Sequence, residues 1–327
     1  MTLRILFIGG NGTISGASSD LAVQRGYDLT LLNRGRSSQR MPITGTRHLT
    51  GDAEDAASIA AAIGDETFDV VANFRAFSPE QVARDIELFE GRTRQYVYIS
   101  SASAYQKPVA RLPITESTPL RNPFWQYSRD KIAGEELLVA AYRERGFPMT
   151  IVRPSHTYDE ASVPLLGGWT AIDRMRRGEP VVVHGDGTSL WTVTHTRDFA
   201  VAFVGLLGNE GALGEAFQIT SDEVLTWNQI ASALAAAAGA EFRPAHIASD
   251  AIARELPELG AGLLGDKAHS VIFDNSKVKA LVPEFRAVIP YWRGAREMIA
   301  WHDADPSRQV VDAELDAAFD RLVQRYA

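Results

Sequence analysis

The chain has 327 residues, 45% of them hydrophobic, enough for one large α/β unit or two smaller lobes with an ample core. Its formal net charge of -8 and its scattered arginines offer no basic stripe, which argues against a dedicated nucleic-acid binder. Cysteine is absent, so disulfides, thiolate metal sites and cysteine nucleophiles are excluded together.

The first residues, MTLRILFIGGNG, pass from a strand-length apolar run straight into glycines, without the apolar core and cleavage site of a signal peptide. No later run approaches the ~20 apolar residues needed to cross a bilayer. Cytoplasmic residence is the expectation. Leu3 to Ile8 reads as a parallel strand buried on both faces, and Ser15 to Arg25 as a helix stopped at Gly26. The intervening GGNGTISG forms the strand, glycine turn and helix arrangement that brings bare backbone and a helix N-terminus to a phosphate. Gly9 and Gly12, with Thr13 and Ile14 at the helix start, are candidate cofactor contacts. Ser15 stands where a third glycine is common.

The second strand, Asp28 to Leu32, ends in Asn33, Arg34 and Arg36, where an NAD site usually offers an acidic residue to the adenosine ribose. Arginine suits a 2′-phosphate, so NADP is favoured over NAD. A third strand, Arg47 to Leu49, leads to Asp52 as a candidate adenine contact, and a fourth, Phe68 to Asn73, presents Asn73 and Phe74 to the cofactor and Phe77 to the substrate. Ser78, Pro79 and Gln81 form a capping box that starts a helix at about Pro79. The fifth strand, Gln95 to Ile99, opens into SSASAY; hydroxyls at the carboxyl end of a parallel strand face the ligand crevice, which makes Ser101 a catalytic candidate with Ala102 and Ser103 beside the substrate.

In PFWQYSRDKIAGEELL, Tyr127 and Lys131 share a helix face at i, i+4 spacing. An ammonium beside a phenol favours the phenolate, so Lys131 is expected to draw the Tyr127 pKa down towards neutrality. Such a tyrosine can exchange a proton with a carbon-bound hydroxyl. The sixth strand, Met149 to Arg153, closes at Pro154 and continues into SHTYDEASVP, offering Pro154 and His156 to the cofactor and Ser155 to the substrate.

Later segments read as a helix over Leu165 to Arg177 carrying Trp169 and Asp173, a strand at Val181 to Val183, a helix entered from Thr194 to Leu207, and a seventh strand at Glu215 to Thr220. Thr226 and Gln229 make a second capping box before an alanine-rich helix ending at Gly239. Further helices are expected near 248–256, 291–301 and 312–325. The lobes interleave: residues 1–160 plus about 194–222 form a dinucleotide-binding domain, and about 161–193 with 223–327 a substrate-binding lobe. The 7 histidines show no metal-ligand spacing, so no metal site is expected, and only His156 and His195 are placed to meet substrate.

GGNG after the first strand, SSASAY after the fifth, YSRDK on the next helix, VRPSHTY after the sixth strand, and the later GDG, THTRDFA and FDNSK together resemble the extended short-chain dehydrogenase/reductase family, and within it the NAD(P)-dependent epimerase/dehydratase group. The resemblance implies an α/β fold, a Rossmann-type doubly wound parallel sheet with a smaller, interleaved C-terminal substrate lobe. It also implies a catalytic set of Ser101, Tyr127 and Lys131, with Lys131 holding the nicotinamide ribose as well, and a homodimer through helices near Pro79 to Glu90 and Gln126 to Arg143. Sugar-nucleotide epimerases carry a diphosphate-gripping arginine after GDG. Here Trp191 takes that place, either stacking on substrate or packing in the core, and Arg121, Arg129 or Arg174 would have to replace the missing charge. Dehydratases of the group place an acidic pair after the catalytic hydroxyl residue, whereas Ala102 and Ser103 stand there, so elimination of water lacks its acid and base.

The expected activity is NAD(P)-dependent epimerisation of a secondary hydroxyl on a sugar, sugar nucleotide or nucleoside-like substrate through a transient ketone. Alcohol dehydrogenation or ketone reduction without epimerisation is the alternative. A non-catalytic cofactor-sensing or RNA-associated protein is a third reading, because the NRG after the second strand resembles one such group.

Overall fold

The computed structural model describes residues 2–35 and 43–327, so Arg36 lies outside the described residues. In chain order the first elements are β1 (Arg4–Ile8), α1 (Thr13–Gln24), β2 (Asp28–Asn33), β3 (Arg47–Thr50), α2 (Ala56–Ile63), β4 (Phe68–Asn73), α3 (Pro79–Phe89), β5 (Thr93–Ile99), α4 (Gln126–Arg145) and β6 (Met149–Pro154). Then come β7 (His156–Tyr158), α5 (Trp169–Arg177), β8 (Val181–His184), β9 (Leu190–Trp191), β10 (Val193–His195), α6 (Thr196–Leu206) and β11 (Ala216–Ile219). The chain closes with β12 (Leu225–Thr226), α7 (Trp227–Ala237), β13 (Pro244–Ile247), α8 (Ser249–Glu255), α9 (Pro257–Gly262), α10 (Ser276–Leu281), α11 (Tyr291–Asp303) and α12 (Ala313–Tyr326).

Seven parallel strands make the main sheet in the order β11-β6-β5-β4-β1-β2-β3. The alternation of side chains along β1 explains why its whole apolar run is buried. Ile5 and Phe7 enter one core with Phe199 and Phe203 of α6, while Leu6 and Ile8 enter another with Ile59 of α2, Val82 of α3 and Leu138 of α4. Chain order reverses between β1 and β4, and the carboxyl ends of the strands flanking such a switch point open on a ligand crevice.

Local signals read from the sequence operate as expected. Ser78 accepts from the Gln81 amide while Gln81 Oε1 accepts from the Ser78 amide, starting α3, and Thr226 with Gln229 repeats the arrangement at α7. The helix expected from Leu165 begins only at Trp169, because Gly167 and Gly168 take φ of +84° and +55° and break the helical path before it. The short pairs β7–β10, β8–β13 and β9–β12 lie outside the main sheet, and a separate core holds Trp191, Trp227, Met298 and Tyr291. Among the described residues, no helix is long and apolar enough to cross a membrane.

Tyr158, at the end of β7, is fixed by edge contacts to His195 and Tyr291 at 5.1 and 5.3 Å between ring centroids. Gly294 of α11 lies so close that an added Cβ would stand 2.3 Å from Tyr158 Oη and 2.4 Å from Cε2. Ordinarily alanine stabilises a helix interior relative to glycine. Here overpacking wins, and Gly294→Ala is expected to lower stability by about 1–3 kcal/mol in urea denaturation.

Candidate active site

The glycine turn after β1 is held by a serine in the place of the third glycine. Ser15 Oγ donates to the Gly9 carbonyl and accepts from the Gly12 amide, both at 2.7 Å, and Ser19 Oγ donates to the Gly10 carbonyl at 3.0 Å. Gly9 has φ +84°, and a Cβ there would meet Arg75 Cγ at 2.5 Å. Two buried polar atoms beside the turn, Asn11 Oδ1 and Asn33 Nδ2, have no hydrogen-bond partner among the described residues. Bare backbone, a helix N-terminus and unfilled polar atoms fit a dinucleotide.

Several expected cofactor contacts do other work. Asn73 Oδ1 accepts from the Arg75 amide at 2.7 Å and its Nδ2 donates to buried Asp85 at 2.5 Å, so it shapes the turn after β4 instead of facing the crevice. Asp52 accepts from the Glu54 amide at 3.0 Å and holds its own turn. Asn33 and Arg34 differ from these two: Asn33 Oδ1 accepts from the Gly35 amide at 2.9 Å but its Nδ2 has no partner among the described residues, and Arg34 is exposed at the end of β2. Gly9, Gly12, Thr13, Ile14, Phe74, Lys131, Pro154 and His156 do line one cleft of about 680 Å³, together with Phe77, Ser101, Ala102, Ser103, Tyr127, Ser155 and Trp191.

Lys131 is buried, and its Nζ donates to the carbonyls of Ala76 and Ile99 at 2.7 and 2.8 Å. It also sits 4.8 Å from the Phe77 ring centre and 5.7 Å from that of Tyr127. Burial draws the lysine pKa down to about 7, against the pull of Glu135 one helical turn on. The expected lowering of Tyr127 is absent. Burial pushes its phenol up to about 12, a hydrogen bond with Ser101 opposes this, and the Asp266 charge adds to it. Desolvation outweighs proximity here, because the neighbouring ammonium is itself destabilised by the same burial and directs hydrogens at two carbonyls.

Ser101 is positioned by its neighbours. Its Oγ accepts from the Ser103 amide at 3.1 Å and lies 2.9 Å from Ser103 Oγ, which accepts from buried Ser128 Oγ on α4 at 2.8 Å. Beneath the site, Arg153 of β6 grips Glu135 at 2.9 Å through Nε and 2.5 Å through Nη2, and Ser100 Oγ donates to the same carboxylate at 2.5 Å.

Other sequence expectations are corrected. Trp169 lies outside the cleft, stacked on His302 of α11 at 4.3 Å between centroids, and Asp173 pairs with Arg177. His195 caps α6 by accepting from the Arg197 amide and opens on a second cavity with Glu297, away from Tyr127. Trp191 is 1% exposed and its Nε1 donates to His156 Nδ1 at 3.3 Å, so it is a wall of the cleft rather than a stacking platform. None of the arginines proposed to replace the missing charge reaches the cleft. Arg174 is committed to Asp316 and Asp320, Arg129 to Gln126 and the Pro123 carbonyl, and Arg121 to the Lys107 carbonyl. The structure adds Arg75, Trp125, Trp227, Asp266 and Lys267 to the lining, which carry no local motif. Among the described residues, no cluster of three or more His, Cys, Asp or Glu side chains could hold a metal ion.

A glycine turn at the switch point of a doubly wound sheet, joined in one cleft by serine, tyrosine and lysine, defines a nicotinamide-dependent enzyme of the short-chain dehydrogenase/reductase type. The chain belongs to the NAD dependent epimerase/dehydratase family, whose model matches residues 5–220. It is 29% identical over 248 residues to a chloroplast stem-loop binding protein of 41 kDa from Arabidopsis thaliana, a match that covers 72% of this chain and 63%, under two thirds, of that protein. It is 26% identical to the 2'-dehydrokanamycin reductase of Streptomyces kanamyceticus over 100% of this chain and 91% of the relative. UDP-glucose 4-epimerase from Bifidobacterium longum, solved with NAD+ and UDP, shares the fold with a TM-score of 0.74 at 18% identity, covering 93% and 99% of the two chains.

The Lys131 shift has a sign that can be measured. An unfolded lysine keeps its proton up to about pH 10.4, so between about pH 7 and that value the unfolded chain binds more protons and stability rises with pH. Below about pH 7 both states are protonated and the cost of burying the charge is present in full. In urea denaturation at pH 7 and 9.5, wild type is expected to gain stability relative to Lys131→Met at the higher pH.

Proposed function

We propose that the protein reduces a ketone on a carbohydrate-like substrate, and oxidises the matching secondary alcohol in reverse, with NADPH preferred over NADH. The observation that carries this reading is the meeting of Tyr127, Ser101 and Lys131 with the glycine turn in one cleft, where burial pushes the Tyr127 phenol up to about 12. Bound along the Gly9 to Thr13 turn, a nicotinamide cofactor supplies the hydride. Tyr127 gives its proton to the carbonyl oxygen, Ser101 orients that oxygen, and Lys131 is the residue assigned to the nicotinamide ribose. The same phenol takes the proton back in the reverse direction, alcohol oxidation, which is also the first half of an epimerisation.

The cations in the cleft favour a substrate without a diphosphate. Arg75 pairs with Glu54 at 3.3 Å and Lys131 is committed to two carbonyls, which leaves Lys267 among the lining cations. Similarity along the whole chain to a reductase supports the same reading. Arg34 and the absence of an acidic residue at the end of β2 support NADP. A homodimer through α3 and α4 is part of the proposal, with Leu137 and Tyr142 exposed on α4. Likeness to a stem-loop binding protein favours a second reading, RNA association; a gel-shift with stem-loop RNA at physiological salt tests it, and the net charge of -8 opposes it.

Reduction of a panel of keto-sugars, followed at 340 nm, tests the enzyme. Wild type is expected to turn over with higher kcat/KM for NADPH than NADH, and Tyr127→Phe to lower kcat by roughly 10²–10⁴ while keeping cofactor affinity. Turnover unchanged by Tyr127→Phe would sink the assignment.

A further inference from the structure

We propose that Asp266 is the specificity-determining residue of the cleft, accepting hydrogen bonds from neighbouring hydroxyls of a neutral sugar ring. The inference deepens the reductase reading and rests on it. Asp266 belongs to a π-helical turn, Leu263–Lys267, and turns of this kind recur at functional sites. Side chains fix the turn on both sides of the aspartate. Asn122 Nδ2 donates to the Gly265 carbonyl at 2.7 Å, Trp227 Nε1 donates to the Lys267 carbonyl at 3.2 Å, and His184 Nε2 lies 3.0 Å from that same oxygen. The Asn122 amide also donates to the Ser103 carbonyl at 2.9 Å, so the frame holding Asp266 is continuous with the loop carrying Ser101.

The carboxylate lines the cleft and lies close enough to Tyr127 for its charge to raise the phenol pKa. Behind it, fully buried Lys107 places Nζ 3.4 Å from Asp266 Oδ1, and that ammonium has no hydrogen-bond partner among the described residues. A buried cation is tolerated where a counter-charge faces it, and here the counter-charge is the cleft carboxylate. An ionised carboxylate offers about four acceptor sites. None of the described residues donates a hydrogen bond to those of Asp266, so its remaining acceptors are directed at whatever enters the cleft.

The surroundings select the class of donor. Buried Lys107 offsets the aspartate from behind, so the pair presents no net negative charge to draw in a polyamine, while the carboxylate facing the cleft repels a phosphate or a sugar acid at that point. His156 and His184 are held neutral by burial, their pKa values drawn down to about 3 and about 4, and supply no further cation. Trp125, half-buried at the cleft and 4.8 Å from the Tyr127 ring, gives an apolar surface for the carbon face of a ring. Uncharged hydroxyl donors on an apolar ring satisfy both halves of this environment.

The test is calorimetric titration of the NADPH-loaded protein with methyl β-D-glucopyranoside, its 2-amino-2-deoxy counterpart and UDP-glucose. The neutral glucoside is expected to bind most tightly, Asp266→Asn to weaken it about tenfold or more at a temperature where its circular dichroism is still native, the melting temperature falling because Lys107 loses its counter-charge, and Asp266→Glu to recover part of both losses. Equal affinity in wild type and Asp266→Asn overturns the inference, as does tighter binding of the amine or of UDP-glucose by wild type. If no glucoside binds wild type while NADPH-dependent reduction of cyclohexane-1,2-dione persists at 340 nm, the inference falls and the reductase reading stands. Loss of both removes the two together.

Discussion

One buried ammonium fastens the catalytic helix to the sheet. Lys131 donates to the carbonyl of Ile99, the last residue of β5, and to that of Ala76, three residues past the end of β4, so α4 is tied to the rim of the crevice at two points. Tyr127 lies one helical turn earlier on the same face and is placed over the crevice by that attachment. One turn later, Glu135 ties α4 to Arg153 of β6 and to Ser100. Removing one partner of a buried pair of this kind strands a charge, at a typical cost of about 3–5 kcal/mol, so this arrangement tolerates little movement. The glycine turn, the Ser101 loop and Trp191 and Trp227 line one cleft around that fixed point.

The same burial decides the electrostatics. Sequence spacing treats Lys131 and Tyr127 as an isolated pair in which a cation lowers a phenol. In the fold Lys131 is buried and Tyr127 half-buried at the cleft, and desolvation acts on each in the direction of its neutral form, taking the lysine down and the tyrosine up. A tyrosine held neutral by burial beside Ser101 is the proton donor that the proposed reduction calls on.

The main sheet and the gathering of Ser101, Tyr127 and Lys131 at one cleft were legible because their signals are local. A continuous apolar run marks a strand covered on both faces, Ser78 with Gln81 and Thr226 with Gln229 mark helix starts, and Tyr127 with Lys131 mark a shared helix face. The second lobe was not legible in the same way. Trp169 looked available to substrate until His302 of α11 covered its face, and His195 until it capped α6 and met Glu297. Asp266 gave no signal, since its position depends on Asn122, Trp227 and Lys107 from three distant segments. Asn73 failed for a related reason: its polarity serves buried Asp85 and the turn at Arg75. Long-range packing, which no short motif encodes, sets the pocket that decides substrate.

Net hydride transfer, with Tyr127 as proton donor, is the central claim, and isotope tracing reads it most directly. Wild type would be incubated with a keto-sugar and NADPH carrying deuterium at C4 of the nicotinamide ring, and the product examined by NMR. The account predicts deuterium on the former carbonyl carbon, one NADP formed per product, and loss of this transfer in Tyr127→Phe. An isomerised sugar without deuterium and without cofactor consumption, or labelled product undiminished in Tyr127→Phe, would contradict it.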